Sequence, residues 1–462
     1  MKKKLRSIIE YSGYGIISVC YLLGCQKDEN VKTDAVKPER ILTDTRTSVV
    51  NLFRDTVYIL QGQFVRQANE ELNIEEGTLI KVIADDYNTL GGISIEPGGI
   101  IRAKGTRNNP VVFTSNSYTG NQKQNWNGIT ITGKAKNNSR GDIGDVTDNS
   151  GSLSFVRIEF APLILDAVGN KTSLENVMVS YCNTSGQIAA KSSFSFYGGS
   201  VNAKNLISYA CGGPVDFYLT NGYDGKMQNI LAYRNPFFGN TGTAPYDALA
   251  GVFIENNDNG QTGAMPITFP IISNLTVLGP NAINGSAPLY GDTNNTTVRC
   301  ASLVVNSNAF FQVRNSLLLS FPRGGIYVND GMTAENIHFH RAEISYSVLH
   351  ANDTSRMFYL QTDVYPPYNS YNLQNFILEP VLKNRKTTGM ADYIYKDPFN
   401  YENPNLTPVS NSLILTGADF SAIDYTNSFF TKVNYIGAIG PDDWLQGWTN
   451  FIPLRTNYNF PL

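Results

Sequence analysis

The sequence predicts an all-β solenoid, and three observations carry this prediction. One strand–turn–strand unit occurs twice, as LNIEEGTLIK at 72–81 and ISIEPGGIIR at 93–102, a shift of 21 residues. Each copy alternates apolar and polar residues with the period of a β-strand and breaks at a glycine, Gly77 or Gly98. A strand repeat near 20 residues without helical patterns is typical of stacked coils. Forty glycines and a charged content of 16% fit a turn-rich chain.

The repeat continues from residue 152 in a changed form. Several units place an asparagine just before an apolar run: Asn176, Asn205, Asn229, Asn274 and Asn315. One position of a coil recurs in every turn of a solenoid, so we expect these side chains to stack and to hydrogen-bond to each other. Their spacings are 29, 24, 45 and 41 residues. The first two suit one coil each, and the last two suit either a coil with a long insertion or two coils.

The first 24 residues have the layout of a signal peptide, a basic start followed by a mostly apolar run. The run ends in Leu-Leu-Gly-Cys, which resembles the bacterial lipobox, so Cys25 is expected to be the lipidated first residue of the mature protein. Lys27, Asp28 and Glu29 resemble the export signal of surface lipoproteins in the Bacteroidetes. These resemblances imply a lipid anchor in the outer membrane, with the protein facing the cell exterior.

The chain is therefore expected to have four parts. A signal peptide covers residues 1–24, and a lipidated tether covers the polar residues 25–50. The solenoid extends over residues 51–355. Prolines interrupt the repeats after that point, and residues 356–462 are predicted to hold the final coils and a C-terminal cap. We assign the cap to the aromatic stretch 429–454, because an open β edge invites pairing with other chains.

The charge of the chain argues against a nucleic-acid partner. Removal of the signal peptide takes away four basic residues and one acid, which changes the formal net charge from −3 to −6. Nucleic-acid binding depends on clustered Lys and Arg instead. No other apolar run approaches the roughly 20 residues that a membrane-spanning helix needs, so the lipid is the expected membrane contact.

Three cysteines remain in the folded part: Cys182, Cys211 and Cys300. This odd and scattered set indicates neither a disulfide framework nor a zinc cluster. Cys182 and Cys211 occupy similar places in neighbouring repeats, where stacking would allow one disulfide. Two buried, apolar thiols are the alternative.

Four segments resemble a group of Bacteroidetes surface lipoproteins and secreted proteins: EPGGIIRAKGTRNNPVVFTS, NWNGITITGKA, FYGGSVNAKNL and GAIGPDDWLQGWTNF. The resemblance covers roughly residues 55–455. It implies a pectate-lyase-like fold, so the full prediction is an all-β, right-handed parallel β-helix with a C-terminal cap. The biochemical role of the group is mostly unknown, and the resemblance therefore indicates the fold and the cellular location rather than an activity.

The chain differs from this group at two positions where the group has pairs of acidic residues. In the group, acidic pairs precede the FYGGSVN-like segment and the next GYxG turn. This chain has KSSFS at the first place, residues 191–195, and a single acid, Asp216, at the second. If those acids bind a cation or do acid–base work in the group, this chain has lost most of them.

An acidic loop is the first candidate site. Asp142, Asp145 and Asp148 recur at a spacing of three, and the carboxylates and carbonyls of such a loop could hold Ca²⁺. A solvated loop without a metal is the simpler interpretation. Glu255 with Asp258 is a weaker version of the same idea. No phosphate loop, nucleophile elbow or dinucleotide fingerprint is present, so the sequence suggests no cofactor besides Ca²⁺.

The three histidines offer a second metal hypothesis. On a strand, His338 and His340 would point to one side, and His350 from the next coil and Glu343 could complete a metal site. Surface histidines without such a role are the commoner case.

The aromatic content is the last candidate. The chain has 26 Tyr, and exposed Tyr on a solenoid face can stack on sugar rings or on protein partners. Tyr365, Tyr368, Tyr393 and Tyr395 lie in runs that suit such contacts. Aromatic filling of the coil corners is the alternative.

We therefore expect a lipid-anchored cell-surface protein that binds a glycan or a partner protein at the outer membrane without catalysis. One alternative is a polysaccharide lyase or glycoside hydrolase on a β-helix scaffold. Another is a structural accessory subunit of an outer-membrane complex. The enzyme hypothesis requires at least two carboxylates and one Lys or Arg to converge in a groove on one face of the helix. A face of Tyr, Asn and Ser would contradict it.

Overall fold

A computed structural model describes residues 37–84, 91–119, 122–123, 125–140, 144–182, 192–236, 238, 248–279, 299–319, 321, 325–351, 355, 357–361, 368–388 and 391–458. Residues 37–462 form one compact unit. Six residues with predicted roles lie outside the described ranges: Cys25, Lys27, Asp28, Glu29, Asp142 and Tyr365. No helix in the described ranges is long and apolar enough to cross a membrane.

Parallel strands from successive coils stack into two sheets. In the described part of the chain, sheet A contains 17 strands: β1 (Glu39–Leu42), β2 (Val49–Leu52), β3 (Val57–Leu60), β5 (Glu71–Ile74), β6 (Leu79–Val82), β8 (Ile100–Lys104), β9 (Val111–Ser115), β13 (Gly151–Glu159), β15 (Ser173–Ser180), β17 (Asn202–Tyr209), β19 (Lys226–Tyr233), β21 (Ile271–Leu278), β23 (Phe311–Arg314), β24 (Leu317–Leu319), β26 (Ala342–Ser345), β27 (Val348–Leu349) and β29 (Arg385–Lys386). Sheet B contains ten: β4 (Gln63–Arg66), β7 (Gly92–Ile95), β12 (Ile129–Thr132), β14 (Leu163–Asp166), β16 (Ser192–Tyr197), β18 (Val215–Thr220), β20 (Ala248–Glu255), β22 (Arg299–Asn306), β25 (Ile326–Val328) and β28 (Phe358–Leu360).

The remaining elements are short. Two antiparallel pairs join β10 (Tyr118–Thr119) to β11 (Gln122–Lys123) and β30 (Tyr395–Asp397) to β31 (Asn405–Pro408). The helices are α1 (Gly331–His338), α2 (Ser370–Ile377) and three 3₁₀ turns at Pro380–Leu382, Ala391–Tyr393 and Ile423–Tyr425. Inward-facing apolar side chains of both sheets fill one continuous core. The right-handed parallel β-helix predicted from the sequence is confirmed.

Sheet A is folded lengthwise into two facets. In the first coils each facet has its own short strands, and β13 then pairs with both: residues 151–154 lie beside β8 and residues 156–158 beside β9. The long strands of sheet A therefore bend between a first facet, which precedes the bend, and a second facet, which follows it.

The predicted asparagines stand at this bend. Asn176, Asn205 and Asn229 have φ values of 55°, 55° and 58°, a left-handed conformation that Asn tolerates better than most residues. The side-chain amide of Asn205 donates to Asn176 at 3.0 Å, and that of Asn229 donates to Asn205 at 2.9 Å. The predicted ladder is confirmed for these three residues.

The other two asparagines keep the conformation but change partners. Asn274 and Asn315 have φ values of 56° and 55°. The amide of Asn274 donates to the carbonyl of Tyr435 at 3.0 Å, and that of Asn315 donates to the carbonyl of Asp419 at 2.9 Å. At these coils the ladder is diverted to the C-terminal part of the chain.

The coil register differs from the repeat in the sequence. Leu72 stacks on Ile101, whereas Ile93 stacks on Phe64 and Ile129 in the other sheet. The two copies of the repeated unit therefore occupy different corners of the coil: the first spans both facets of sheet A, and the second spans sheet B and the first facet. The spacings of 45 and 41 residues each belong to one coil with a long insertion, since β21 lies directly between β19 and β23.

The β-helix also begins earlier than predicted. Strand β1 lies inside the segment 25–50 that we expected to be a tether, and β2 begins there; Glu39 to Leu42 pair in register with Val57 to Leu60. The mostly exposed side chains of β1 explain why the segment looks like a polar linker.

The region 356–462 has two parts, and only the first covers the last coil. Helix α2 packs on β28 and α1, and β29 pairs with β27, so residues 370–386 cover the last coil. The stretch 429–454, to which we assigned the cap, does not do this. It belongs to a C-terminal segment, residues 391–458, that runs back along the outside of sheet A.

Contacts along many coils hold the C-terminal segment. The Tyr209 hydroxyl donates to the carbonyl of Tyr401 at 2.5 Å, and the Tyr233 hydroxyl donates to that of Pro398. Further along, the ring of Trp448 packs edge-on against Phe155, with centroids 5.8 Å apart. In the first coils the Tyr458 hydroxyl donates to the buried carboxylate of Glu159. The segment therefore covers the second facet of sheet A.

Candidate functional site

The outward surface of sheet B carries a column of large side chains in successive coils. Along each strand, inward and outward residues alternate, so Phe217 and Leu219 enter the core while Tyr218 points outward. The strand register places five outward residues in one line: Tyr218, Phe253, Val304, Tyr327 and Tyr359. We call this line the aromatic column.

The rings of the aromatic column pack on one another. The centroids of Tyr218 and Phe253 are 5.5 Å apart, and those of Tyr327 and Tyr359 are 4.9 Å apart. Tyr218 and Val304 are buried, whereas Phe253, Tyr327 and Tyr359 are partly exposed. Such rings offer apolar surface with a polar edge, which suits sugar rings and other amphipathic ligands.

A second outward line runs beside the aromatic column, two residues further along each strand. We call it the polar column: Tyr197, Thr220, Glu255, Asn306, Asn329 and Gln361. The Tyr218 hydroxyl donates to the Glu255 carboxylate, and the Tyr327 hydroxyl donates to the Gln361 amide at 3.1 Å. Amide and hydroxyl groups thus flank the rings along the helix axis.

Three carboxylates surround Tyr197 at the N-terminal end of these columns. Burial is the main cause that raises the pKa of Tyr197 to about 12, and the charges of Asp258, Asp166 and Glu255 add to it. Asp166 accepts from Arg140 at 2.6 Å, and Asp258 accepts from the Ser139 hydroxyl at 3.1 Å. Each of the three carboxylates therefore has a partner in the fold.

The loop that supplies Arg140 is anchored to sheet B by its neighbour. The side-chain amide of Asn138 donates to the carbonyls of Asn256 at 2.8 Å and Pro266 at 2.9 Å. Arg140 is thereby held at the surface beside the polar column.

The register also fixes how far apart the acids lie. Asp166 stacks on Tyr197, Tyr197 stacks on Thr220, and Thr220 lies beside Glu255. Three coil steps separate Asp166 from Glu255, about 14 Å at the usual strand spacing. The paired carboxyls of glycosidases lie roughly 5 to 9.5 Å apart. These two acids do not form such a pair.

The predicted Ca²⁺ loop has structural partners for its two described acids. The Asp145 carboxylate accepts from the backbone and hydroxyl of Thr147 at 2.8 and 2.7 Å, and these bonds lower the pKa of Asp145. The Asp148 carboxylate is buried and accepts from Ser150 at 3.2 Å and from the backbone of Gly169 at 3.4 Å. Among the described residues, no group of three or more His, Cys, Asp or Glu side chains could hold a metal ion.

The histidine hypothesis placed His338 and His340 on one strand, and this is wrong. His338 ends helix α1, and His340 lies beyond it. His340 faces two carboxylates, with Glu343 and Glu379 each 3.5 Å away. His350 is buried, and burial lowers its pKa.

The predicted tyrosine contacts divide into different environments. Tyr393 is 70% exposed, as a binding residue would be. Tyr368 is partly buried and packs edge-on against Phe376. Tyr395 is fully buried, and its hydroxyl lies 3.2 Å from that of Thr276. This corrects the prediction for Tyr395, which belongs to the C-terminal segment and is buried between it and sheet A.

Asp216, the acid that the chain retains, belongs to the interior. Its carboxylate accepts from Ser208 at 2.6 Å and from Arg234 at 2.7 Å, and all three side chains are buried. The guanidinium of Arg234 also donates to the carbonyls of Cys211 and Gly213 at 3.0 and 2.8 Å. Burial raises the pKa of Asp216, although the charge of Arg234 opposes this. The network ties a turn to the core and offers no surface for a ligand.

Cys182 and Cys211 are buried free thiols, as one of the two alternatives expects. Burial raises the pKa values of both Cys182 and Cys211, which disfavours the reactive thiolate.

Sequence reasoning missed the residues of the aromatic column. Their signal was present in the strands DFYLT and GVFIE, where an aromatic residue stands one place from an inward phenylalanine or valine. The signal becomes readable when the coils are aligned in the correct register.

Comparison with known proteins gives one informative result. No curated protein and no solved structure matches the chain. The family model of the pectate-lyase-like β-helix domain matches residues 44–359, which is more than half of the chain. The matched range contains the described strands of both sheets from β2 onward, nearly to the end of β28. The chain therefore belongs to the pectate-lyase-like β-helix family.

Proposed function

We propose that this protein is a lipid-anchored surface protein that binds a polysaccharide along sheet B without cleaving it. The single observation that carries the proposal is the aromatic column with its parallel line of amide and hydroxyl groups. Rings at successive coils provide stacking surface, and the polar column supplies donors and acceptors for sugar hydroxyls. The ligand chain would follow the helix axis.

The proposed location at the cell surface depends on the N-terminal sequence. Cys25 would carry the lipid, and Lys27, Asp28 and Glu29 would direct the protein to the cell exterior. Replacing Cys25 with Ser is expected to release the protein from the membrane fraction. Protease treatment of intact cells tests the second point, because an inward-facing lipoprotein would be protected.

Affinity electrophoresis tests the binding itself. The chain from residue 26 is run through native gels cast with different polysaccharides, and retardation in one gel without loss of polymer stain is the expected result. Phe253→Ala and Tyr327→Ala should each reduce the retardation several-fold. Tyr371→Ala is the matched control, because Tyr371 is 69% exposed and lies on α2, outside both the aromatic and the polar column.

Retardation unchanged in both sheet B variants would contradict the proposal. So would equal mobility in every gel, which would direct the search toward a protein partner in the outer membrane.

The enzyme alternative keeps one supporting observation. Asp166, Glu255 and Asp258 lie on one face with Arg140, as the hypothesis requires. Their partners and the spacing of Asp166 and Glu255 favour a binding role. A cleared zone in the polysaccharide gel that disappears in Glu255→Gln would establish catalysis and overturn the non-catalytic proposal.

A further inference from the structure

Two adjoining clefts lie where the C-terminal segment meets the second facet of sheet A. The first has a volume of ≈ 460 Å³, with walls from the β-helix (Tyr181, Asn235 and Phe238) and from the C-terminal segment (residues 399–402, 452, 454 and 455). The second has a volume of ≈ 400 Å³ and is lined by residues of the C-terminal segment. Glu402 and Ile452 line both, so the two clefts are neighbours. Volumes of this size are typical of small-ligand sites.

The first cleft has an aromatic lining. Tyr181 and Phe238 meet edge-on with centroids 4.6 Å apart, and Phe399 and Tyr401 stand on the other wall. Tyr401 is itself fixed by the ring of Tyr233, 5.7 Å away. Phe399 is partly exposed, so its ring is accessible from the cleft. The rings are held from both sides by packed neighbours and need little reordering when a ligand enters.

A charged pair stands at the junction of the two clefts. The guanidinium of Arg455 donates two hydrogen bonds to the Glu402 carboxylate, one of them at 2.9 Å. Their side chains are 68% and 56% exposed, so they can exchange this contact for a ligand. A surface pair of this kind contributes little to stability and is not needed to hold the fold.

The second cleft is lined mainly by amide, hydroxyl and carboxylate groups. Its polar lining residues include Asn403, Asn405, Asp443, Gln446 and Thr449. Amides both donate and accept hydrogen bonds, as sugar hydroxyls do. The site therefore has aromatic rings at one end and amides at the other, with a carboxylate and a guanidinium between them.

We infer that these clefts bind the end of a short oligosaccharide. The terminal sugar ring lies against Phe399 in the aromatic cleft, Glu402 and Arg455 bond its hydroxyls, and the next sugar reaches the amide-lined cleft. A ligand rich in hydroxyls satisfies acceptors and donors together, which neither an apolar nor a purely ionic ligand does. This site lies beside sheet A, whereas the proposed polysaccharide site lies on sheet B. The inference therefore goes beyond the proposed function.

Binding of trisaccharides to the chain from residue 26 tests the inference. The probes are cellotriose, maltotriose, mannotriose and chitotriose, followed by saturation-transfer NMR and calorimetry. We expect saturable binding of at least one probe. Phe399→Ala and Glu402→Gln should each weaken it about tenfold, the size of an aromatic or charged contact.

Glu335→Gln is the matched control and should leave binding unchanged. Glu335 forms a similar exposed ion pair with Arg341 at 3.7 Å, on helix α1. Equal melting temperatures of all variants would show that the cleft substitutions act on the ligand rather than on the fold.

Two results would overturn the inference. One is that no trisaccharide binds the wild-type chain. The other is that binding survives both cleft substitutions and is lost in Tyr327→Ala, which would assign the trisaccharide to sheet B and leave the proposed function standing. Trisaccharide binding at the clefts without retardation by any polysaccharide would contradict the proposed function alone.

Discussion

The second facet of sheet A and the outward surface of sheet B are built alike but differ in how far they are buried. In both, outward side chains alternate with inward ones and stack in columns along the axis. The facet carries an outward aliphatic line of Met178, Ile207 and Leu231 beside the outward Tyr209 and Tyr233, and the C-terminal segment buries both. On sheet B the column is aromatic and borders amides, and Phe253 and Tyr327 stay partly exposed. The two faces therefore differ in what covers them: the C-terminal segment buries the facet, whereas rings of sheet B keep exposed surface that a ligand can contact.

The largest expected effect is a loss of unfolding free energy at alkaline pH, caused by the tyrosines buried under the C-terminal segment. Burial raises the pKa values of Tyr209, Tyr233 and Tyr458 well above the ordinary value of 10.0. The unfolded chain releases these protons first, so the stabilisation is complete below pH 10 and is lost as pH rises beyond it. Unfolding free energy measured against pH, together with tyrosinate absorbance, checks this. Tyrosine ionisation near pH 10 with the fold intact would contradict the assigned burial.

Trp448→Ala should destabilise the protein by about 3–5 kcal/mol, because it removes a large, almost fully buried ring from the covered face. Urea unfolding measures the change. Tyr371→Ala, at an exposed position, should stay within about 0.5 kcal/mol of wild type. A small effect for Trp448→Ala would mean that the C-terminal segment is loosely held.

Asn205→Ala should cost about 2 kcal/mol, since it breaks two hydrogen bonds of the ladder and places alanine at a φ of 55°. Asn205→Gly separates the two causes, because glycine accepts this conformation and loses the hydrogen bonds alone. Equal losses in the two variants would show that the backbone conformation contributes nothing.

Tyr359→Ser on sheet B should have the smallest effect on stability, about 1 kcal/mol or less, because the ring is partly exposed at the end of its column. The same substitution should reduce retardation by the polysaccharide. A loss of stability comparable to that of Trp448→Ala would remove the distinction between the two faces.

The asparagine ladder was predictable because one residue type recurs at one position of the coil. Asn205 and Asn229 can be recognised because each stands just before an apolar run. Asn recurs there since few residues tolerate a left-handed bend inside a strand. The register was not predictable from the clearest repeat. The corners of a coil share the same turn chemistry, so Leu72 matched Ile93 in sequence although it stacks on Ile101.

The candidate site was harder to predict than the fold. Tyr395 and Tyr327 both stand in short strands of the sequence, yet Tyr395 is buried between the C-terminal segment and sheet A, and Tyr327 lies on the outward surface of sheet B. What separates them is a contact with residues far away in the chain, for which no local pattern exists. The two sequence-distant walls of the aromatic cleft, Tyr181 and Phe399, escaped prediction for the same reason.

The reach of the C-terminal segment has a consequence for how the molecule holds together. Stacked coils ordinarily contact their neighbours alone and can fray from an end, one coil after another. Here the guanidinium of Arg107 donates to the carbonyl of Gln446 at 2.8 Å, across 339 residues of chain. Coils far apart on the axis are thereby tied to one ribbon and gain or lose order together. Removal of the C-terminal segment would leave the aliphatic side chains of the second facet exposed along many coils at once.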